Sequence, residues 1–191
     1  MRTALEYNIN KKNHLNVAYT GSFTPDGHNR SIADGSFQQS NLDKFTDNKM
    51  NNITVQYSSG IGLEVGGDYT RYTSDNNQTM FTQLSDKNKS SYTLTGGQRI
   101  DRYSIYADQK HNLTNNWGIG YGVAYRYAKD YDFQTYNNVT GNIQTENTEA
   151  KLNEQTASFY FSLNKKLDNR HFAFYFCYRR ILHYWQLSQM G

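Results

Sequence analysis

The sequence predicts an all-β fold: an antiparallel up-and-down transmembrane β-barrel segment of about eight strands, standing alone as an open curved sheet. Three observations lead there. Side-chain character alternates with a period of two residues along much of the chain. Short and long connections follow one another in turn. The aliphatics are scarce: Leu, Ile, Val and Phe number 12, 9, 5 and 10 among 191 residues, too few for a large soluble core. Disorder is excluded by the other half of the composition. Seventeen Tyr, ten Phe and two Trp accompany a net charge of only +3, whereas disordered chains combine few aromatics with high charge. A sheet with lipid outside and water inside needs apolar groups on one face alone.

The strands follow in order. Residues 3–9 give a short first segment. Leu15, Val17 and Tyr19 then alternate with Asn16, Ala18 and Thr20. Ile53, Val55 and Tyr57 alternate with Thr54, Gln56 and Ser58, and Ile61, Leu63, Val65 and Tyr69 with Glu64, Gly66, Asp68 and Thr70. Tyr103, Ile105 and Ala107 alternate with Ser104, Tyr106 and Asp108 inside a strand expected at about 98–113. The clearest alternation is at 117–127, inside a strand expected at about 116–130. Trp117, Ile119, Tyr121, Val123, Tyr125 and Tyr127 take one face, and Gly118, Gly120, Gly122, Ala124 and Arg126 the other. A helix would spread both sets around its circumference; a strand separates them. Phe159, Phe161 and Leu163 alternate with Tyr160, Ser162 and Asn164, and residues 171–176 complete the set. Tight turns are expected at 11–14, 58–60, 114–116 and 165–170. Long polar outer loops are expected at about 25–50, 74–97 and 131–152, which is how a transmembrane barrel is wired.

From this alternation the lipid-facing set is Trp117, Ile119, Tyr121, Val123, Tyr125, Phe159, Phe161 and Leu163. The lumen-facing set is Glu64, Asp68, Asp108, Gly118, Gly120, Gly122 and Arg126. The small inward glycines suit a wide, water-filled or plugged lumen. The loop aromatics Tyr131, Phe133 and Tyr136 are expected to serve loop packing rather than contact with sugars or peptides.

Other chemistry is not encoded in a recognisable pattern. His14, His28, His111, His171 and His183 lack metal-ligand spacing. The glycine-rich stretches at 59–62 and 95–97 precede no helical pattern, so they are turns rather than phosphate loops. No nucleophile, base and acid fall at a supporting spacing. We therefore expect no catalysis, no cofactor and no metal. The modest charge predicts no nucleic-acid partner. No run of about 18 apolar residues encodes a transmembrane helix, and the N-terminus has no signal-peptide core. The single Cys177 allows no disulfide within the chain.

The stretches Gly66-Gly67-Asp68-Tyr69-Thr70, Gln98-Arg99-Ile100-Asp101-Arg102-Tyr103-Ser104-Ile105-Tyr106-Ala107-Asp108-Gln109 and Trp117-Gly118-Ile119-Gly120-Tyr121-Gly122 resemble the barrel region of Bacteroides-type outer-membrane β-barrel proteins, which are related to TonB-dependent receptors. The resemblance implies nutrient uptake and a location in the bacterial outer membrane for a longer parent protein. It implies as partners the outer-membrane lipid, the remainder of the barrel and a plug, with TonB touching only an N-terminal part outside this chain. The chain is then expected to be a fragment. Two alternatives stay open: a complete small eight-stranded barrel with a structural or adhesive role, and a soluble carbohydrate-binding β domain.

The barrel pattern covers residues 1–176, and residues 177–191 form an off-pattern tail. In Cys177-Tyr178-Arg179-Arg180-Ile181-Leu182 the alternation fails. A one-base shift of reading frame near Phe174 and Phe176 can restore a Tyr-rich, Gly-punctuated string. The expectation is a frameshift, which the gene's nucleotide sequence tests directly.

Overall fold

The computed structural model describes residues 1–84, 88–113, 116–167 and 170–190; of these, the side chains of Pro25, Asp26, 166, 167, 170–172 and 183–190 are left undescribed. Eight strands form one antiparallel sheet in sequence order. They are β1 (Arg2–Asn10), β2 (Asn13–Asp34), β3 (Gln38–Ser58), β4 (Leu63–Leu84), β5 (Lys89–Asn112), β6 (Trp117–Thr140), β7 (Asn147–Leu167) and β8 (Arg170–Met190). The sheet is an open meander. Among the described residues β1 pairs with β2 alone and β8 with β7 alone. The expected all-β, up-and-down, open architecture is what the chain adopts.

The expected outer loops are not loops. β2 and β3 continue through 25–50 to a connection at 35–37; within 74–97, β4 runs to Leu84 and β5 starts at Lys89, residues 85–87 lying outside the described residues. β6 and β7 run through most of 131–152, with the break at 141–146. At 24 residues, β5 and β6 are each about 80 Å long at 3.4 Å per residue. These segments carry polar groups on both faces, so the two-residue period vanishes from hydropathy although the backbone ladder continues. Tyr131, Phe133 and Tyr136 accordingly sit on β6. The short turns come where expected at 11–12 and 59–62; the other two fall partly on 114–115 and 168–169, outside the described residues. Gly62 takes φ +83° in its turn, and Gly141 takes φ +79° at the end of β6, conformations that favour glycine.

The last strand also outruns its expected end at Phe176. β8 stays in register with β7 from Leu167↔Arg170 to Asn147↔Met190. Backbone pairing asks for no particular side chains, so a broken alternation does not end a ladder. Phe174, Phe176 and Tyr178 keep phase with Leu163, Phe161 and Phe159. After Tyr178 the phase slips: Arg180 follows Tyr178 on the apolar face and Ile181 takes the polar one.

No hydrophobic core exists among the described residues. Only Leu94, 9% exposed, is a buried apolar side chain, and none is fully buried. A soluble β-sandwich buries the inner faces of two sheets against each other. Here a single layer leaves its apolar face open.

Candidate membrane belt and polar wall

The register builds the apolar face row by row. One row runs Tyr7, Leu15, Tyr57, Val65, Ala107, Val123, Phe159 and Tyr178 across all eight strands. The next same-face row includes Leu5, Val17, Val55, Ile105 and Tyr125. Toward the short turns the face continues with Tyr121 beside Phe161, and Ile119 beside Leu163. All eight residues expected on the lipid face therefore share one face, and those on β6 and β7 adjoin one another. Ile105 is 63% exposed and Val123 54% exposed. So large a contiguous apolar surface is not usual on a soluble monomer.

Tyrosines close this belt toward the long-strand end. Tyr19, Ile53, Tyr69, Tyr103 and Tyr127 share a row on β2 to β6. The rings of Tyr69 and Tyr103 stack at 4.7 Å. Three of the hydroxyls point the same way, each donating to an acceptor two residues further out on the next strand. Tyr19 reaches Asn51 Oδ1 at 2.6 Å, Tyr69 reaches Asp101 Oδ1 at 2.7 Å, and Tyr127 reaches Asn153 Oδ1 at 3.1 Å. Each ring thus lies against apolar neighbours while its hydroxyl meets a polar row, the arrangement an interface between oil and water favours.

The opposite boundary is built the same way, in mirror image. Tyr57 donates toward the short turns, to Asn13 Oδ1 at 3.1 Å. Further along, Lys165 Nζ lies 4.7 Å from the centroid of the Trp117 ring. From Trp117 to Tyr127 there are eleven residues, matching the roughly 9–11 that span a bilayer when tilted. Relative to the row through His14 and Cys177, β2 reaches one residue further on, and β7 and β8 seven residues further on. That drift, about one residue per strand, corresponds to a tilt of roughly 35°.

The other face is polar. Glu64, Asp108, Gly122 and Tyr160 lie in one row, and Asp68, Ser104, Arg126 and Thr156 in another. All seven residues expected to face the lumen share this face. Ser104 donates to Asp68, Gln56 donates to Glu64 at 2.8 Å, and the Tyr106 hydroxyl lies 3.3 Å from Glu64 Oε1. Thr156 is only 4% exposed. Two hollows of about 460 and 420 Å³ open here, sharing Ser104 and Arg126 in their walls. The first also meets Asp68, Arg102, Glu154 and Arg179.

The glycines do not leave empty space. A Cβ on Gly122 would strike Asp108 and Tyr160, one on Gly118 would strike Asn164, and one on Gly120 would lie 2.6 Å from Ser162 Oγ. Neighbouring side chains fold over the bare backbone, so the expected reason for these glycines, an open lumen, gives way to local packing. Alternation alone could not find Tyr106 and Tyr160 as partners of Glu64 and Asp108, because that pairing depends on interstrand register. Among the described residues no group of His, Cys, Asp and Glu is placed to hold a metal ion, and no helix is long and apolar enough to cross a membrane, a statement that leaves strands aside. No protein-family model matches the chain, and no curated protein matches it.

Proposed function

We propose that the chain is part of the wall of an outer-membrane β-barrel, with its apolar face on lipid and its polar face on an aqueous lumen. The belt between two oppositely directed tyrosine boundaries carries this reading. A single-layer sheet with such a belt has a hydrocarbon layer as its natural second layer. Unpaired strand edges cost several kcal/mol per backbone group in hydrocarbon. β1 and β8 therefore pair, in the membrane, with further strands that complete the barrel. Nutrient uptake, a plug and coupling to TonB rest on the family resemblance alone, and so does the outer membrane as location.

The test is depth-resolved labelling of the full chain in lipid vesicles. Nitroxides go on Val123, Phe159, Ala124 and Ser158 in a Cys177→Ser background. Labels at 123 and 159 should be relaxed by oxygen, which concentrates in lipid, and those at 124 and 158 by a water-soluble nickel chelate. Equal access of the nickel reagent to all four sites rules the belt out.

A complete eight-stranded barrel is disfavoured by the lack of pairing between β1 and β8. A soluble β domain is disfavoured by the missing core.

A further inference from the structure

Beyond the tyrosine row the outward face becomes cationic at once. Arg71 on β4, Asp101 on β5 and Lys129 on β6 form the next row of that face. Arg99 stands two residues beyond Asp101 on the same strand and the same side. Asp101 accepts the Tyr69 hydroxyl. Arg71, Arg99 and Lys129 are exposed, and none enters an ion pair among the described residues. Neighbouring strands lie about 4.8 Å apart and alternate residues about 6.8 Å apart. Three cations thus surround one carboxylate within a patch of roughly 10 Å. The flanking lysines are arranged differently. Lys49 pairs with Asp47 at 2.6 Å and Lys151 pairs with Glu149, both carboxylates being one same-face step further from the tyrosines. In these two flanking pairs the cation lies nearer the belt than its carboxylate, whereas Asp101 stands in the first row beside Arg71 and Lys129.

We infer that Arg71, Arg99 and Lys129 bind the phosphate of an anionic membrane lipid whose acyl chains lie on the belt below. This rests on the membrane reading proposed above. Two guanidinium groups present planar forks that match phosphate oxygens, and Lys129 adds a point charge. The tyrosine row fixes the height, since its hydroxyls mark where hydrocarbon gives way to headgroups. A free anion would meet the same charges but gain nothing from the adjacent apolar wall.

The experiment uses the full chain in phosphatidylcholine vesicles, with or without a minor fraction of a bis-phosphorylated acyl glycolipid. Lipid retained after detergent extraction is counted by native mass spectrometry. The wild type should enrich the glycolipid over phosphatidylcholine. The combined Arg71→Gln, Arg99→Gln and Lys129→Gln variant should lose that enrichment by about tenfold or more, as expected for losing charge-assisted hydrogen bonds. Lys110→Gln, on the other face, should leave it unchanged. A dephosphorylated glycolipid should show no enrichment. Unchanged enrichment in the triple variant overturns the site, and full displacement by inorganic phosphate overturns the lipid as its occupant. Oxygen relaxation of a label at Val123 in the same vesicles separates the two readings. An inserted chain without lipid preference defeats this inference alone, whereas a chain that never inserts defeats the membrane reading as well.

Discussion

The two halves of the sheet share one backbone ladder but differ in what their faces meet. Below the tyrosine row, Val123 and Phe159 adjoin on one face while Ala124 and Ser158 adjoin on the other. Beyond it, Thr95 adjoins Thr135 on one face and Gly96 adjoins Gln134 on the other, and both faces are largely polar. Alternating hydropathy therefore reports unlike surroundings for the two faces rather than the strand itself. Where both faces are polar, the strands continue, with register shifts at Thr24/Gly27 and Ser91/Thr93, and leave no such trace in the sequence.

The largest contrast between the halves should come from a charge on the outward face. Val123→Arg, near the middle of the belt, should cost roughly 2–4 kcal/mol. Thr135→Arg, on the same strand and face of the polar half, should stay within about 0.5 kcal/mol. Urea unfolding in vesicles, followed by tryptophan fluorescence, measures both. Equal costs would erase the distinction between the halves.

Glycines sharpen the comparison next. A Cβ at Gly67 would lie 2.6 Å from the Ser104 carbonyl oxygen, whereas one at Gly96 would lie 3.2 Å from that of Phe133. Backbone cannot swing aside as a side chain does. Gly67→Ala should cost about 1–3 kcal/mol, the usual range for overpacking, and Gly96→Ala distinctly less. Thermal unfolding of the two variants decides it, and the reverse order would contradict the register of β4 and β5.

Between these sits the boundary itself. Tyr69→Phe removes the hydroxyl held by Asp101 and should cost about 1 kcal/mol. Tyr103→Phe, whose ring stacks on that of Tyr69, should cost less. A larger loss at Tyr103 would mean that the outward hydroxyl bond of Tyr69 is not what secures the row.

How much was legible follows from the same contrast. The separation of Trp117, Ile119, Tyr121, Val123 and Tyr125 from Gly118, Gly120 and Gly122 could be read directly, because lipid and water impose different demands on successive residues. The continuation of β6 through Tyr131, Phe133 and Tyr136 could not: Tyr131 and Phe133 share a face with Lys129 and Thr135, while Tyr136 lies on the other with Asp130, Asp132 and Gln134, so aromatic and polar groups are mixed on both faces. Interstrand pairs such as Tyr69 with Asp101, 32 residues apart, depend on register, which alternation fixes only to within two residues. The tail could be read in part: the slip after Tyr178 was visible in the sequence, but the ladder that carries β8 to Met190 was not.

The smallest expected effect lies within the polar half and turns on pH. Burial, and then the charge of Asp130, hold the Asp132 carboxyl above the ordinary aspartate range. The two share a face two residues apart on β6, where Gln98 donates to both oxygens of Asp130 at 3.3 Å, and Asp132 is disfavoured in its ionised form. A carboxyl with a raised folded pKa takes up its proton more readily folded than unfolded. Its ionisation therefore counts against the fold: the penalty is absent below the unfolded value near 3.9, grows as pH rises, and is complete above the folded value. Asp132→Asn removes the penalty and should make the protein slightly more stable than wild type at neutral pH, with the advantage closing as pH falls toward about 3. The side chain is largely solvated, which screens the effect and keeps it small. Chemical unfolding of both proteins across this range provides the measurement. An advantage that grows on acidification would mean that Asp132 is stabilised as a carboxylate and that its surroundings on β6 are more polar than their burial indicates.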